Sequence, residues 1–193
     1  MRISKIALTA LLPLLIVSGA QANEFEPQLR DLAKTAIQPW LSSPQVVEAV
    51  KAQNAKNKGL NETKIVALDK QWRAETSAGS RPLIDSVLSN QLSGFLKGKK
   101  DGSEGLFTEI FVMDNHGLNV GQSDVTSDYW QGDEAKWKKT YSAGADALHI
   151  GKVKEDESTQ TFQSQISLSV VDPADGKVIG AITVGVNVGM LSQ

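Results

Sequence analysis

Apolar residues recur with helical spacing in the first half of the chain and with strand spacing in the second. Leu29, Leu32, Ala33, Ala36, Ile37 and Trp40 form one stripe, which predicts a long helix over residues 25–58. Pro39 predicts a kink in it, because proline lacks an N–H and its ring crowds the carbonyl four residues back. Ser43-Pro44 reads as an N-cap followed by proline at the first helical position, so the helix restarts there. Val46, Val47 and Val50 continue the apolar face, and Asn57-Lys58-Gly59 ends it. A second helix is predicted from Asn61 to Thr76, with Ile65, Leu68 and Trp72 on one side. A third runs from Arg81 to Leu96, with Leu83, Ile84, Val87, Leu88 and Leu92. The polar, glycine-rich stretch from Gly98 to Gly105 reads as a loop.

Strands follow. Leu106 to Met113 is apolar on both faces, as a central strand would be. Asp114-Asn-His-Gly117 is a hairpin turn, and Leu118 to Gln122 is the returning strand. Asp133 to Ala143 reads as a short helix, with Asp128 and Asp133 as caps of a turn and of that helix. Ala147–Val153, Thr161–Val171 and Val178–Val188 are the remaining strands, the last two joined by the turn Asp172-Pro-Ala-Asp-Gly176. The pattern is α+β: a long kinked N-terminal helix and further helices, then a five-stranded antiparallel sheet.

The last two strands each alternate an apolar face with a face of small or uncharged polar residues. Gln163, Gln165, Ser167 and Ser169 share one side, and Ala181, Thr183, Gly185 and Asn187 another. No Lys, Arg or Glu occurs from Thr161 to Asp172 or from Val178 onward. A face open to water is allowed in an antiparallel sheet, but such faces carry charge. An uncharged face suits a covered pocket.

The chain opens like a removable leader. Arg2 and Lys5 precede the apolar run Ile6–Val17, and Ala20-Gln21-Ala22 is a small-x-small cleavage site. Residues 1–22 are therefore expected to be a cleaved signal peptide. Residues 23–193 form one domain, helical over 23–98 and sheet over 106–190. The run is short for a membrane span, so no membrane insertion is expected after cleavage. The expected location is the periplasm. There is no cysteine, which excludes disulfides and thiolate chemistry. Without Arg2 and Lys5 the 20 basic residues become 18 against 22 acidic, a net charge of −4. That balance argues against nucleic acid as a partner.

Catalytic chemistry fits poorly. Gly121-Gln-Ser123 is half of a nucleophile elbow without its second glycine. His116 lies in a turn and His149 in a strand, so no nucleophile–base pair is visible, and an enzyme is not expected. Asp124, Asp128, Asp133 and Glu134 are hard oxygen ligands, but their spacing matches no calcium loop. No cofactor is called for. Asn61-Glu-Thr63 matches a glycosylation acceptor only by pattern. The lysines at 97, 99, 100, 136, 138 and 139 read as a solvated surface.

The richest segment is Ser123–Trp137. Tyr129, Trp130, Trp137 and nearby Tyr141 are four of eleven aromatic residues in the chain. Trp137 and Tyr141 lie on one helical face that must meet the sheet. Tyr129 and Trp130 have apolar bodies and polar handles, which suits a pocket roof.

These residues resemble a Cache domain, the extracellular PAS-like sensor fold, of the single-Cache type. The resemblance rests on Phe107–Met113, the Asp114–Gly117 turn, Leu118–Ser123, the Ser127–Glu134 loop and the closing Val171–Gly185. The N-terminal part fits too, through Leu41-Ser-Ser-Pro44, Ile65, Leu68, Asp69 and Trp72. The resemblance implies a small-molecule ligand, often an organic acid or amino acid, held between the sheet and its cover. By position it implies Tyr129, Trp130 and Trp137 for the cover, and Gln163, Gln165 and Thr183 for the floor. Ser123, Asp124 and His149 complete the expected ligand-binding set. It further implies a membrane receptor, histidine kinase or transporter as partner, and a homodimer through the N-terminal helix. The last strand ends close to Gln193, with no following membrane helix, so the domain is expected to relay to that partner or only to bind. The competing expectation is an interaction module without a ligand, acting through the N-terminal helix. A carboxylate ligand needs a cation or convergent donors, and the sequence marks none as inward.

Overall fold

A computed structural model describes residues 23–156 and 161–191. The expected signal peptide lies outside the described residues. The N-terminal stripe folds as α1 (Glu26–Leu32), a π-helical turn (Ala33–Ile37), α2 (Gln38–Leu41) and α3 (Pro44–Lys56). The π turn explains how Pro39 is accommodated. The Gln38 N–H reaches back five residues to Ala33 O, which widens the helix just before the ring that cannot donate. Ser43 stands at the N-cap of α3 and Pro44 at its first position, as expected. The capping bond itself is absent: the Ser43 hydroxyl caps nothing, and only its carbonyl accepts, from Val46 and Val47.

Next come α4 (Glu62–Glu75), α5 (Pro82–Leu88) and α6 (Gln91–Asp101). The single helix expected from Arg81 to Leu96 is thus two. Asn90 leaves helical geometry and its side chain accepts from Ser93 N at 2.8 Å, so it starts α6 as a cap. The new helix then runs to Asp101, through residues expected as loop.

The sheet comprises β1 (Phe107–Met113), β2 (Asn119–Gln122), β3 (Leu148–Ile150), β4 (Lys154–Asp156), β5 (Thr161–Val171) and β6 (Val178–Asn187). Its order is β2-β1-β6-β5-β3, with β4 also on β5, and every pairing is antiparallel. Of the strand expected over Ala147–Val153 only Leu148–Ile150 pairs, as β3; β4 lies beyond it, so among the described residues the sheet has six strands where five were expected. Ile150 faces Ile166 and Lys154 faces Gln163, so one extra residue sits between them. The α+β class and the antiparallel sheet are as expected, and α7 (Ala135–Lys138) is a single turn within the segment expected as a short helix.

Burial separates the two faces of the sheet. Ile110, Val112, Ile166, Leu168, Val170, Ile182, Val184 and Val186 pack with Leu29, Ile37, Val50 and Leu96. Each such side chain contributes on the order of 1.5–3 kcal/mol when fully buried. A second cluster gathers Ile65, Trp72, Ile84, Val87, Leu118 and Tyr129. On the opposite face Phe111, Met113 and Ala181 carry Trp137 and Tyr141. No helix among the described residues is long and apolar enough to cross a membrane.

Candidate functional site

The face opposite the main helices is the uncharged face read from β5 and β6, and it is covered. Ser167, Ser169, Ala181 and Thr183 are buried there. Ser167 and Thr183 share a hydrogen bond of 3.0 Å. Residues 134–139 cross above, and Trp137 anchors them. Its indole N–H donates to Asp114 O at 3.1 Å and its ring stacks on Tyr141, with centroids 4.7 Å apart.

Between this cover and the strands lies a cleft of about 550 Å³. Its floor is Gln163 and Gln165 of β5 and His149 and Ile150 of β3. Its walls are Glu134, Ala135, Lys136 and Lys139 on one side and Gly151, Lys152 and Lys154 on the other.

A bulge in β1 shapes the floor. Phe107 faces Val186 and Glu109 faces Gly185, so Thr108 is the extra residue. Both Thr108 and Glu109 then lie beside Gly185. A Cβ there would stand 2.3 Å from Thr108 Oγ1 and 2.8 Å from Glu109 Cγ. The missing side chain lets β1 reach β5 across β6. Thr108 Oγ1 donates to Gln163 Oε1 at 2.6 Å, and Gln165 Nε2 donates to Glu109 Oε1 at 2.8 Å. Both floor amides are thereby oriented.

Lysines dominate the charge of the cleft. Lys139, Lys152 and Lys154 are exposed, whereas Lys136 is half-buried. Its ammonium lies 3.0 Å from Gln131 Oε1, 3.1 Å from Glu134 Oε2 and 5.3 Å from the Phe111 ring centre. Burial lowers the His149 pKa from its ordinary value, and nearby Lys139 lowers it further. His149 is therefore neutral at pH 7.

Of the expected ligand-binding residues, the structure brings His149, Gln163 and Gln165 together on the cleft. Thr183 is on the same face but sealed beneath it. Of the other five, Trp137 belongs to the cover, as expected, and four lie elsewhere. Tyr129 is not a roof residue: its ring stacks on Trp72 of α4, and it is buried in the second cluster. Trp130 packs against that cluster and donates its indole N–H to His116 O at 2.9 Å. The chain here pairs beyond β2, through Asn119 N to Tyr129 O and Gln131 N to Gly117 O. That edge pairing turns both rings toward α4 and the hairpin. Trp137 holds the cover through the packing described above. Ser123 and Asp124 form a clasp: Ser123 Oγ accepts from Ile110 N and donates to Asp124, which binds Lys100 of α6.

Two smaller expectations also fail. Asp133 caps nothing, since Glu134 holds the N-cap position of α7 without a side-chain bond. Asp128 instead binds Arg73 and Gln131. The lysines read as a solvated surface include Lys136 and Lys139 of the cleft wall. Lys152 lines the cleft although the sequence does not mark it as inward, and Lys154 and Glu109 were not among the expected site residues. Glu109 had a signal: it is the one charged residue in β1, whose other residues are apolar except Thr108. The lysines had none, because an amphipathic lysine can cover apolar surface or face solvent with the same sequence pattern. No group of three or more His, Asp or Glu that could hold a metal occurs among the described residues.

No family model matches the chain, and no curated protein matches it. Solved structures do. The sensory domain of the Campylobacter jejuni chemoreceptor Tlp3 is 11% identical, with a TM-score of 0.42 over 86% of this chain and 63% of that one. The sensor domain of the V. cholerae histidine kinase DctB is 13% identical, with a TM-score of 0.40 over 88% and 59%. The E. coli DcuS sensor domain is 11% identical, with a TM-score of 0.49 over 86% and 94%. The chain thus spans less than two thirds of the Tlp3 and DctB domains it matches and nearly all of the DcuS domain.

Proposed function

We propose that the chain is an exported sensor domain of the single-Cache type, which binds a small organic acid or amino acid in the cleft under residues 134–139. It then passes its occupancy to a membrane receptor, histidine kinase or transporter. The observation that carries this reading is the cleft itself. Its floor is made of fixed, uncharged amides and a neutral histidine, and its walls hold four lysines against Glu134. A concave site with few oriented polar groups is how small-molecule pockets are built. The excess of ammonium groups selects an anion and disfavours an amine.

A thermal-shift panel of organic acids, amino acids and amines tests this. Ligand that binds the folded state raises the melting temperature by mass action. Acids are expected to raise it, and amines without a carboxylate are not. If no member of the panel moves the wild type, the interaction-module reading replaces this one. N-terminal sequencing of the exported protein tests the leader, with Asn23 expected as the first residue.

A further inference from the structure

Lys136 differs from the other three cleft lysines. It is the half-buried one, and a partly desolvated ammonium interacts more strongly with an anion than an exposed one does. Among the described residues it is also the one joined to a polar chain that leaves the cleft. Lys136 Nζ donates to Gln131 Oε1, and Gln131, only 1% exposed, donates its amide N–H to Asp128. The Asp128 carboxylate then accepts from Arg73 at 3.0 Å. Arg73 also binds Asp69 at 2.7 Å, and Asp69 Oδ1 accepts the backbone N–H groups of Tyr129 and Trp130 at 2.9 and 3.0 Å. Both Arg73 and Asp69 belong to α4.

We propose that Lys136 is the residue that reads the ligand's charge and that Gln131, Asp128 and Arg73 couple its state to α4. This rests on the cleft being the ligand site. The two states differ at Glu134. In the structure Lys136 is paired with the Glu134 carboxylate. An anionic ligand takes that place and repels Glu134, while Gln131 keeps its hold on the ammonium. Any shift of Lys136 toward the ligand then acts on Gln131, whose other end is fixed to Asp128. Residues 128–134 are the segment set by the two states, and α4 is bound to its start through Arg73 and Asp69. Coupling carried this way needs contiguous contacts with two arrangements, and each link here is a direct hydrogen bond.

The test has a ligand-free arm and a ligand arm, both on the full chain. In the first, the melting temperatures of Lys136→Met, Arg73→Ala and their double variant form a cycle. Members of one hydrogen-bond network are non-additive, and a gap of roughly 2–4 °C is expected for a chain of this size. The same cycle with Lys139→Met is expected to add. Additivity in both cycles overturns the coupling, whatever binds in the cleft.

In the second arm, hydrogen exchange over residues 62–75 is followed with succinate and with citrate as probes. Either acid is expected to raise the wild-type melting temperature and change exchange in α4. Lys136→Met is expected to lose both effects and Lys136→Arg to retain them, while Arg73→Ala keeps the melting shift and loses the α4 response. A full melting shift in Lys136→Met overturns the role of Lys136 and leaves the cleft standing. If only amines without a carboxylate shift the wild type, the anion-reading role is overturned. If nothing shifts it, the cleft reading itself has failed.

Discussion

The Tyr129 ring lies flat on the Trp72 ring, with centroids 5.2 Å apart and planes 18° from parallel. This stack joins the aromatic loop to α4 and removes Tyr129 from the cleft. Burial pushes the phenol's pKa up, and the nearby Asp114 carboxylate pushes it the same way. Tyr129→Ala is expected to cost about 3–5 kcal/mol, as other large-to-small aromatic changes in cores do. Urea denaturation of the variant checks this. A loss below ~1 kcal/mol would return Tyr129 to the pocket-roof role its sequence suggested.

Asp114 is a second point of convergence. It is fully buried, and it accepts from His116 N at 2.8 Å, Leu118 N at 2.9 Å, Gln53 at 3.0 Å and Asn57 at 2.8 Å. The hairpin turn is thus tied to α3 through one carboxylate. Asp114→Ala leaves four donors without their acceptor and is expected to cost about 3 kcal/mol or more. Chemical denaturation measures it, and Asp114→Asn, which keeps one acceptor, is expected to lose less.

Gly185 predicts a change confined to the cleft floor. Gly185→Ala would drive a methyl group against Thr108 Oγ1 and Glu109, and the floor amides would lose their orientation. The expected cost is about 1–3 kcal/mol of stability together with weakened ligand response. Thermal shift with the same acid panel reads both. A fully retained ligand response would show that the Thr108–Gln163 and Gln165–Glu109 bonds are not needed for binding.

Glu75 links pH to the helical layer. Burial alone would raise its pKa, but it accepts from Ile84 N, Gln71 and Leu83 N, and these bonds hold it below the ordinary value. It serves as the cap that α5 lacks at Arg81. A depressed folded pKa means the unfolded chain binds the proton more readily. The contribution of Glu75 is therefore present above the ordinary glutamate pKa and disappears as pH falls through the lowered folded value. Glu75→Gln is expected to flatten the acid limb of the stability–pH curve relative to wild type. An unchanged limb removes Glu75 from the acid response.

His149 gives a ligand-linked pH effect. Its pKa is lowered by burial and by Lys139, so the fold disfavours its charged form. Stability of the empty protein is expected to fall as pH drops below the ordinary histidine value, because the unfolded state takes up the proton first. An anionic ligand stabilises the imidazolium, so affinity is expected to rise over the same range. Isothermal titration at several pH values checks the sign, and His149→Gln is expected to remove the dependence.

The sequence carried the fold farther than the site. Stripes such as Leu29–Trp40, the Ser43-Pro44 restart and the Asp114–Gly117 turn are local signals, and local chemistry decides them. The lack of charge on one face of β5 and β6 marked the covered side, because burial there excludes Lys and Glu. What could not be read was set by partners far away in the chain. Tyr129 turns from the cleft because Trp72 and Asp69, about 60 residues earlier, hold its ring and its N–H. Asn90 breaks a helix that periodicity alone would continue. Lys136 faces inward because α7 is one turn anchored by Trp137, and neither fact is visible in a run of lysines.

The two ends of the sheet bear on how the chain survives crowding. On one side, residues 129–131 close the outer rim of β2 with backbone bonds. On the other, the border is split into three-residue pieces by the extra residue between β3 and β4. A second copy therefore finds only short, uneven rows of backbone groups to template on. The irregularity that admits Gly151 to the cleft wall also guards the fold against edge-to-edge aggregation.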